Sequence, residues 1–236
     1  MQKLVVTPSG LCAHGRGEAF DYLIGEKTTP TAENAIYYAV AALLTAKHPV
    51  ISVNGNVAAL CPMELANFSN LTNIPLEINL FYRTPGRVEA IEAVLKKSGA
   101  KQILGTADSP QTTIKELSSN RRIVDPRGIA SADVVLVPLE DGDRTEALIK
   151  EGKFVIAIDL NPLSRTAQMA HITIVDNVIR CIPKMQEIAS SLLNEIKSGF
   201  KKSENIKASI TKFNQKENLK SSVSEIIEYL NGIIKI

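Results

Sequence analysis

Asp133-Val-Val-Leu-Val-Pro-Leu139 runs directly into Glu140-Asp-Gly-Asp-Arg144. The first half is a short apolar run rich in β-branched residues, the pattern of a strand buried on both faces. The second half packs three carboxylates and one arginine around a glycine. The same sequence of events recurs along the chain. Pro49-Val-Ile-Ser-Val53 is followed by Asn54-Gly55-Asn56, and Leu76-Glu-Ile-Asn-Leu-Phe81 by Tyr82-Arg83. Phe154-Val-Ile-Ala-Ile158 is followed by Asp159-Leu160-Asn161, and Ile172-Thr-Ile-Val175 by Asp176-Asn177. In an open parallel sheet all carboxyl ends lie on one edge, and ligands bind in the crevice there. Polar clusters at these strand ends therefore predict one site assembled from distant parts of the chain.

Helical periodicity fills the intervals. Thr31 to Lys47 carries apolar residues at Ala32, Ala35, Ile36, Ala39, Val40, Leu43 and Leu44, and Thr29-Pro30 is a start signal. Thr84-Pro85 opens a second helix, buried through Val88, Ile91, Val94 and Leu95. Asp143-Arg-Thr-Glu146 has capping-box spacing for a third, with Asp143 as the cap. Val178 to Ile196 is amphipathic through Ile179, Ile182, Met185, Ala189, Leu192 and Leu193. Strands alternating with helices predict an α/β fold, Rossmann-like, with a mostly parallel sheet flanked by helices. Residues 105–132 form a long polar segment with Pro110, Pro126 and Gly128, and such segments are usually functional or covering elements. After Gly199 the composition shifts to Lys, Ser and Asn, and a final helix places Val223, Ile226, Ile227, Leu230, Ile233 and Ile234 on one face. We read residues 1–198 as the ligand-binding domain and 199–236 as a lysine-rich helical C-terminal appendage, packed on the body or on a second subunit.

Composition narrows the function classes. An apolar fraction of 44% supplies an ample core. No apolar stretch reaches the roughly 20 residues of a membrane span, and the first residues lack a signal-peptide pattern. The scattered Cys12, Cys61 and Cys181 argue against a zinc site or disulfide framework and fit a reducing cytoplasm. Seven lysines against two glutamates between Lys197 and Lys220 account for the basic pI; with a total of +2, the rest of the chain is slightly acidic. A nucleic-acid partner is therefore not expected.

Both usual phosphate loops, G-x-G-x-x-G after the first strand and G-x-x-x-x-G-K-[ST], are absent. An anion would need other donors. Arg16 sits in His14-Gly15-Arg16-Gly17, whose glycines permit either close approach of backbone to a ligand or a turn before a helix at Glu18 to Ile24. Asn54-Gly55-Asn56 joins a strand to a helix start, a natural anion site that is also ordinary turn chemistry. Asp141 lacks the capping explanation given to Asp143, and suits Mg²⁺ or a substrate amine. Asp159 is placed to accept from ribose hydroxyls, Ser164 to cap a helix, and Arg165 to meet a phosphate. Asp176-Asn177 completes the edge. His48 and His171 read as structural; His14 alone neighbours a candidate site. No residue set reads as a protein-held metal centre.

Several long motifs in order carry a resemblance: LCAHGRGEAFDYLIG (Leu11 to Gly25), PVISVNGNVAAL (Pro49 to Leu60), LEINLFYR (Leu76 to Arg83), ADVVLVPLEDGDRTEAL (Ala132 to Leu148) and Phe154 to Asn177. They resemble the archaeal phosphopantothenate synthetases, the 4-phosphopantoate–β-alanine ligases, and the resemblance extends over roughly residues 4 to 195. The resemblance implies a homodimeric Rossmann-type enzyme of coenzyme A biosynthesis. It would join 4-phosphopantoate to β-alanine with ATP and Mg²⁺, releasing AMP and diphosphate through an acyl-adenylate. It also implies ATP contacts at Arg16, Asp159, Leu160, Asn161, Arg165, Thr166, Asn177 and Val178. From strand-end position we expect His14, Asn54, Asn56, Arg83 and Arg144 at the phosphopantoate, with Arg16, Asp141 and Arg144 acting in catalysis. Members of that family usually carry a helical segment ahead of the His-Gly-Arg-Gly motif that supplies another arginine to the nucleotide. This sequence begins at Met1-Gln-Lys-Leu without it, so either the start codon is late or a weaker nucleotide grip is expected. Two other readings compete: a nicotinamide-dependent oxidoreductase, disfavoured by the missing glycine fingerprint, and a non-catalytic nucleotide-binding sensor.

Overall fold

The computed structural model describes residues 4–114 and 119–234. Six strands form one parallel sheet: β1 (Pro49–Val53), β2 (Leu76–Ile78), β3 (Ile103–Leu104), β6 (Val134–Pro138), β7 (Phe154–Ile158) and β8 (Ile172–Ile174). A separate antiparallel ribbon pairs β4 (Thr112–Thr113) with β5 (Ile123–Val124). The sheet order is β3-β2-β1-β6-β7-β8. Counted within the sheet alone this is the doubly wound order 3-2-1-4-5-6, whose switch point lies between its first and fourth strands. Here that point falls between β1 and β6, paired through Pro49↔Val134 and Ile51↔Leu136.

Side-chain alternation builds two cores. In β6, Leu136 joins one apolar cluster while Val135 and Val137 join the other. In β7, Ile156 and Ile158 go one way, Val155 and Ala157 the other. The first face is covered by α2 (Pro30–Thr45), α3 (Gly55–Leu60), α4 (Pro62–Thr72), α5 (Pro85–Lys97) and α8 (Val178–Lys197). Among the described residues the second face is covered by α6 (Gly142–Lys150), through Ala147 and Leu148, and by Ala170 at the end of α7 (Arg165–Met169). Ile114, Val124 and Ile129, from the long polar segment, complete that core. The segment is thus a cover over the sheet. Glu77 in β2 holds it down, accepting from the backbone N–H of Asp125 at 2.9 Å and of Ile129 at 2.5 Å.

Helix starts follow their chemistry. Thr29 Oγ1 accepts from Ala32 N ahead of Pro30, and Asn177 Oδ1 accepts from Ile179 N. Three sequence expectations are corrected. The His14-Gly-Arg-Gly17 stretch is not a turn: it lies inside α1 (Pro8–Leu23), which Thr7 caps through Gly10 N. The cap of α6 is Asp141, whose Oδ1 accepts from Arg144 N at 2.9 Å, and Asp143 sits exposed in the first turn. The second strand ends at Ile78 rather than Phe81. β3, with two residues, has too short an apolar run to stand out in the sequence.

The C-terminal elements α9 (Ser203–Ser209) and α10 (Gln215–Ile233) pack on the body. Gln215 exchanges two hydrogen bonds with Thr173 and donates to the Ala167 carbonyl, and Asn218 donates to the Thr173 carbonyl. These side chains cover the exposed edge of β8, where unpaired strand groups would otherwise template association. Glu225 caps α2 by accepting from Thr31 N and Oγ1. Among the described residues no helix is long and apolar enough to cross a membrane.

Candidate active site

A cleft of about 440 Å³ opens at the carboxyl edge of the sheet. Its floor is the ends of β6 and β7: Leu139 to Gly142, then Asp159, Leu160 and Asn161. Ser164, Arg165 and Thr166 form one wall, and α1 closes the other with His14, Arg16, Gly17, Glu18 and Phe20. Asn56 reaches in from the start of α3. Nine residues expected from the sequence therefore meet: His14, Arg16, Asn56, Asp141, Asp159, Leu160, Asn161, Arg165 and Thr166.

The cleft begins where the chain turns left-handed. Leu139 has φ +53, a region that costs a non-glycine residue roughly 1–2 kcal/mol. Asn54 secures the turn, its Nδ2 donating to the carbonyls of Pro138 and Leu139. Three residues on, Gly142 lies against the Arg165 side chain, leaving no room for a Cβ. Arg165 pairs with Asp143 at the rim.

Charge is divided across the cleft. Arg16 makes no hydrogen bond or ion pair among the described residues, and its charge favours the ionised form of Asp159. Burial nonetheless raises the Asp159 carboxyl above its usual range, against hydrogen bonds from Ser164 Oγ and Asn161 N. Glu140 is differently placed. Arg121, from the covering segment, pairs with its carboxylate, and Arg144 Nε stands 3.7 Å away. Asp141 keeps the more exposed carboxylate, 42% accessible, with Arg121 Nε 3.5 Å from Oδ2.

Five expected residues lie outside the cleft. Arg144 is 0% exposed: its Nη1 donates to the Arg121 carbonyl at 2.6 Å, and it lies between Glu77 and Glu140. Burial lowers Arg144 and Arg121 to about 10, which leaves both charged at neutral pH. A guanidinium so enclosed braces the floor and does not meet a ligand there. Asn54 sits beneath the floor as cap and tether. Arg83 ties β2 to the covering segment through the carbonyls of Ile78, Gly105 and Thr106. Asn177 Nδ2 donates to Glu18 and Asp21 of α1, and the Val178 side chain is in the core. His171 is structural, stacked on Phe154 and accepting from Val155 N.

Sequence reasoning missed Arg121, which arrives from a segment without periodicity. It also missed Phe20 and Glu77. A lone glutamate inside Leu76-Glu-Ile was the signal for the last.

The match to known proteins decides the family. Residues 31–229 match the model of the phosphopantothenate/pantothenate synthetases. The chain belongs to that family. Its relatives include the 4-phosphopantoate–β-alanine ligase of Thermococcus kodakarensis, 57% identical over 81% of this chain and 73% of the relative. The ligase of that name from Thermococcus onnurineus matches to the same extent. That of Methanosarcina mazei is 50% identical over 96% of this chain and 86% of the relative. As a phosphopantothenate/pantothenate synthetase family member, the chain keeps its cleft residues on the carboxyl edge of a doubly wound sheet, where such folds bind nucleotides.

Proposed function

We propose that this chain condenses 4-phosphopantoate with β-alanine, using ATP, to give 4′-phosphopantothenate, AMP and diphosphate, a step of coenzyme A biosynthesis. The observation that carries the reading is Arg16, a cation with no protein partner among the described residues, facing Asp159 across a Rossmann cleft. A triphosphate supplies the anion that Arg16 lacks, and a ribose hydroxyl adds a donor to Asp159 beside Asn161 N and Ser164 Oγ.

A carboxylate is a poor acyl donor because its leaving group is oxide. A carboxylate oxygen of phosphopantoate attacks the α-phosphorus of ATP, the bond to the bridging oxygen breaks, and diphosphate leaves. The neutral amine of β-alanine then attacks the acyl carbon and AMP departs. The protein's work is positioning and charge neutralisation. Arg16 and Arg165 offset charge on the phosphates. Asp159 accepts from the ribose, with Leu160, Asn161 and Thr166 shaping the nucleotide wall. Asn177 and Val178 lie behind α1 and would reach a nucleotide through their backbone or through a shift of α1. Asp141, the more exposed carboxylate of the floor, holds the β-alanine ammonium and takes its proton; Glu140 is already paired. His14 and Asn56 line the space left for phosphopantoate. Arg83 and Arg144 act from outside, by fixing the covering segment and the floor. Magnesium, when bound with the triphosphate, adds charge neutralisation, and the cleft carboxylates able to hold it are Asp141 and Asp159.

The enzyme works as a homodimer in the cytoplasm. Supporting the first, Leu4, Phe81 and Tyr82 are about half exposed and gather around Arg87, which donates to the carbonyls of Leu4 and Tyr82. Supporting the second, all three cysteines are free thiols. The test is product analysis after incubation with ATP, Mg²⁺, 4-phosphopantoate and β-alanine. AMP and 4′-phosphopantothenate, dependent on both small substrates, are expected. ADP as product would replace the adenylate with an acyl phosphate, and ATP binding without turnover would make the protein a sensor.

A further inference from the structure

α1 is an unusual wall for a binding cleft. Of its 16 residues the one buried is a carboxylate, Asp21, at 6% exposure. Leu11 and Tyr22 face solvent, so the helix has no apolar face to dock with. Yet it contributes Arg16 and several neighbours to the cleft. Polar attachments hold it at both ends, beside the buried Ile24 at its C-cap. Near the start, Asn56 Nδ2 donates to the Gly10 carbonyl at 2.9 Å. Near the end, Arg180 of α8 grips Asp21 with both arms of its guanidinium, Nη2 to Oδ1 at 2.6 Å and Nη1 to Oδ2 at 2.9 Å. Asn177 Nδ2 adds a third bond to Oδ2 at 2.8 Å. Arg180 is itself fixed from behind by Asp176 Oδ1, through Nη2 at 2.7 Å and Nε at 3.1 Å, and Asp176 is held by Thr28 Oγ1.

We propose that Asp21 and Arg180 are positioning residues that set α1 on the body and thereby place Arg16 over the nucleotide. The inference rests on the ATP-dependent reading above. Its physical basis is directional. A helix docked through an apolar stripe can slide or roll with little loss, whereas a two-armed guanidinium–carboxylate contact fixes both distance and orientation. Burial would raise the Asp21 carboxyl, but Arg180 and Asn177 hold it below its usual range, so the grip is ionic at neutral pH. Arg180 lies in the first turn of α8, directly after Asn177, so one turn of α8 supplies both side chains that hold the Asp21 carboxylate from behind the cleft wall.

The experiment has two arms, on Asp21→Asn and, should that variant fold poorly, on Arg180→Lys, which keeps charge but loses the fork. In the first arm, hydrogen exchange is followed in protein without ligand. Amides of α1 should exchange at least tenfold faster in the variant while β6 and β7 stay protected; unchanged α1 exchange overturns the clamp. In the second arm, ATP affinity is measured by calorimetry in a cycle with Arg16→Ala. Asp21→Asn should weaken ATP about tenfold, and Arg16→Ala should then cost several-fold less than it does in the parent, because the guanidinium is already misplaced. Independent, multiplying effects would reduce Asp21 to a structural residue and overturn the positioning role. A parent protein that binds no ATP would instead remove the ligase reading, and that is seen before any variant is made.

Discussion

Asn54 and Leu139 meet across the switch point of the sheet, the Asn54 amide donating to the Leu139 carbonyl at 3.0 Å and to that of Pro138 at 2.9 Å. The same side chain accepts from Asn56 N and Val57 N through Oδ1. One residue thus caps α3 and pins the left-handed turn from which the cleft floor starts. Asn54→Ala should lose a cap of about 1 kcal/mol and strand two carbonyls at about 1–3 kcal/mol. Urea denaturation should show the loss. Asn54→Asp keeps the cap yet turns an anion on two carbonyls, and should be no better.

Two arginines only 128 positions apart in sequence should fail in opposite ways. Arg16→Ala should raise the KM for ATP at least tenfold and leave the denaturation midpoint unchanged, since Arg16 makes no hydrogen bond or ion pair among the described residues. Arg144→Met removes the guanidinium between Glu77 and Glu140 and should cost about 3–5 kcal/mol, the penalty of leaving buried charge without its partner. Equal stability losses in the two variants would contradict the placement of Arg144.

Gly142 couples stability to affinity. Its φ is not left-handed, so the backbone of the first turn of α6 admits alanine, but the added Cβ would meet the Nε, Cβ and Cγ of Arg165 and must push that side chain and its helix away. Overpacking of this kind costs about 1–3 kcal/mol. Gly142→Ala should therefore melt below the parent and bind ATP several-fold more weakly, and adding Arg165→Ala should change affinity little further. Calorimetry on the single and double variants checks this.

Glu77 predicts a pH signature. Burial pushes its carboxyl up to about 7, against the N–H groups of Ile129 and Asp125 and the charge of Arg144. An unfolded glutamate titrates near ~4.3. The folded state thus binds the proton more tightly, and this contribution is full below about pH 4.3 and lost as pH rises through 7. The lowered carboxyls of Asp21, Asp125 and Asp133 act in the reverse sense, their contribution being lost as pH falls below the ordinary aspartate range. Comparing denaturation of the parent and Glu77→Gln at pH 5, 6, 7 and 8 isolates the glutamate. Gln cannot accept both backbone N–H groups, so the variant should be less stable throughout, and the gap should narrow as pH rises from 5 to 7. Parallel curves would mean that Glu77 titrates as an ordinary glutamate.

Elements with strong periodicity were legible. The spaced apolar residues of α2 from Ala32 to Leu43 are buried, with Ala41 and Ala42 buried beside them, and the five quoted strand runs all lie in the parallel sheet. The family motifs pointed to the cleft, and nine expected residues line it. Where reading went astray, the missing term was non-local. Gly15 and Gly17 suggested a turn, but α1 is held by Thr7 at its start and by Arg180 from another helix. Capping-box spacing favoured Asp143; the left-handed Leu139 turn begins α6 at Gly142 and so selects Asp141.

By itself the sequence determined the layers, the parallel sheet and the family, because alternation, helical period and capping are set by backbone geometry within a few residues. It also determined that polar groups would collect on one sheet edge. Only the tertiary structure decided which of those groups face the cleft and which hold it up. Arg16 and Arg144 carry the same charge beside the same edge, yet one stands free on a polar-tethered helix and the other is enclosed between Glu77 and Glu140. That distinction depends on Arg121 and the covering segment packing over the sheet, contacts between residues far apart in the chain, and no local pattern encodes them.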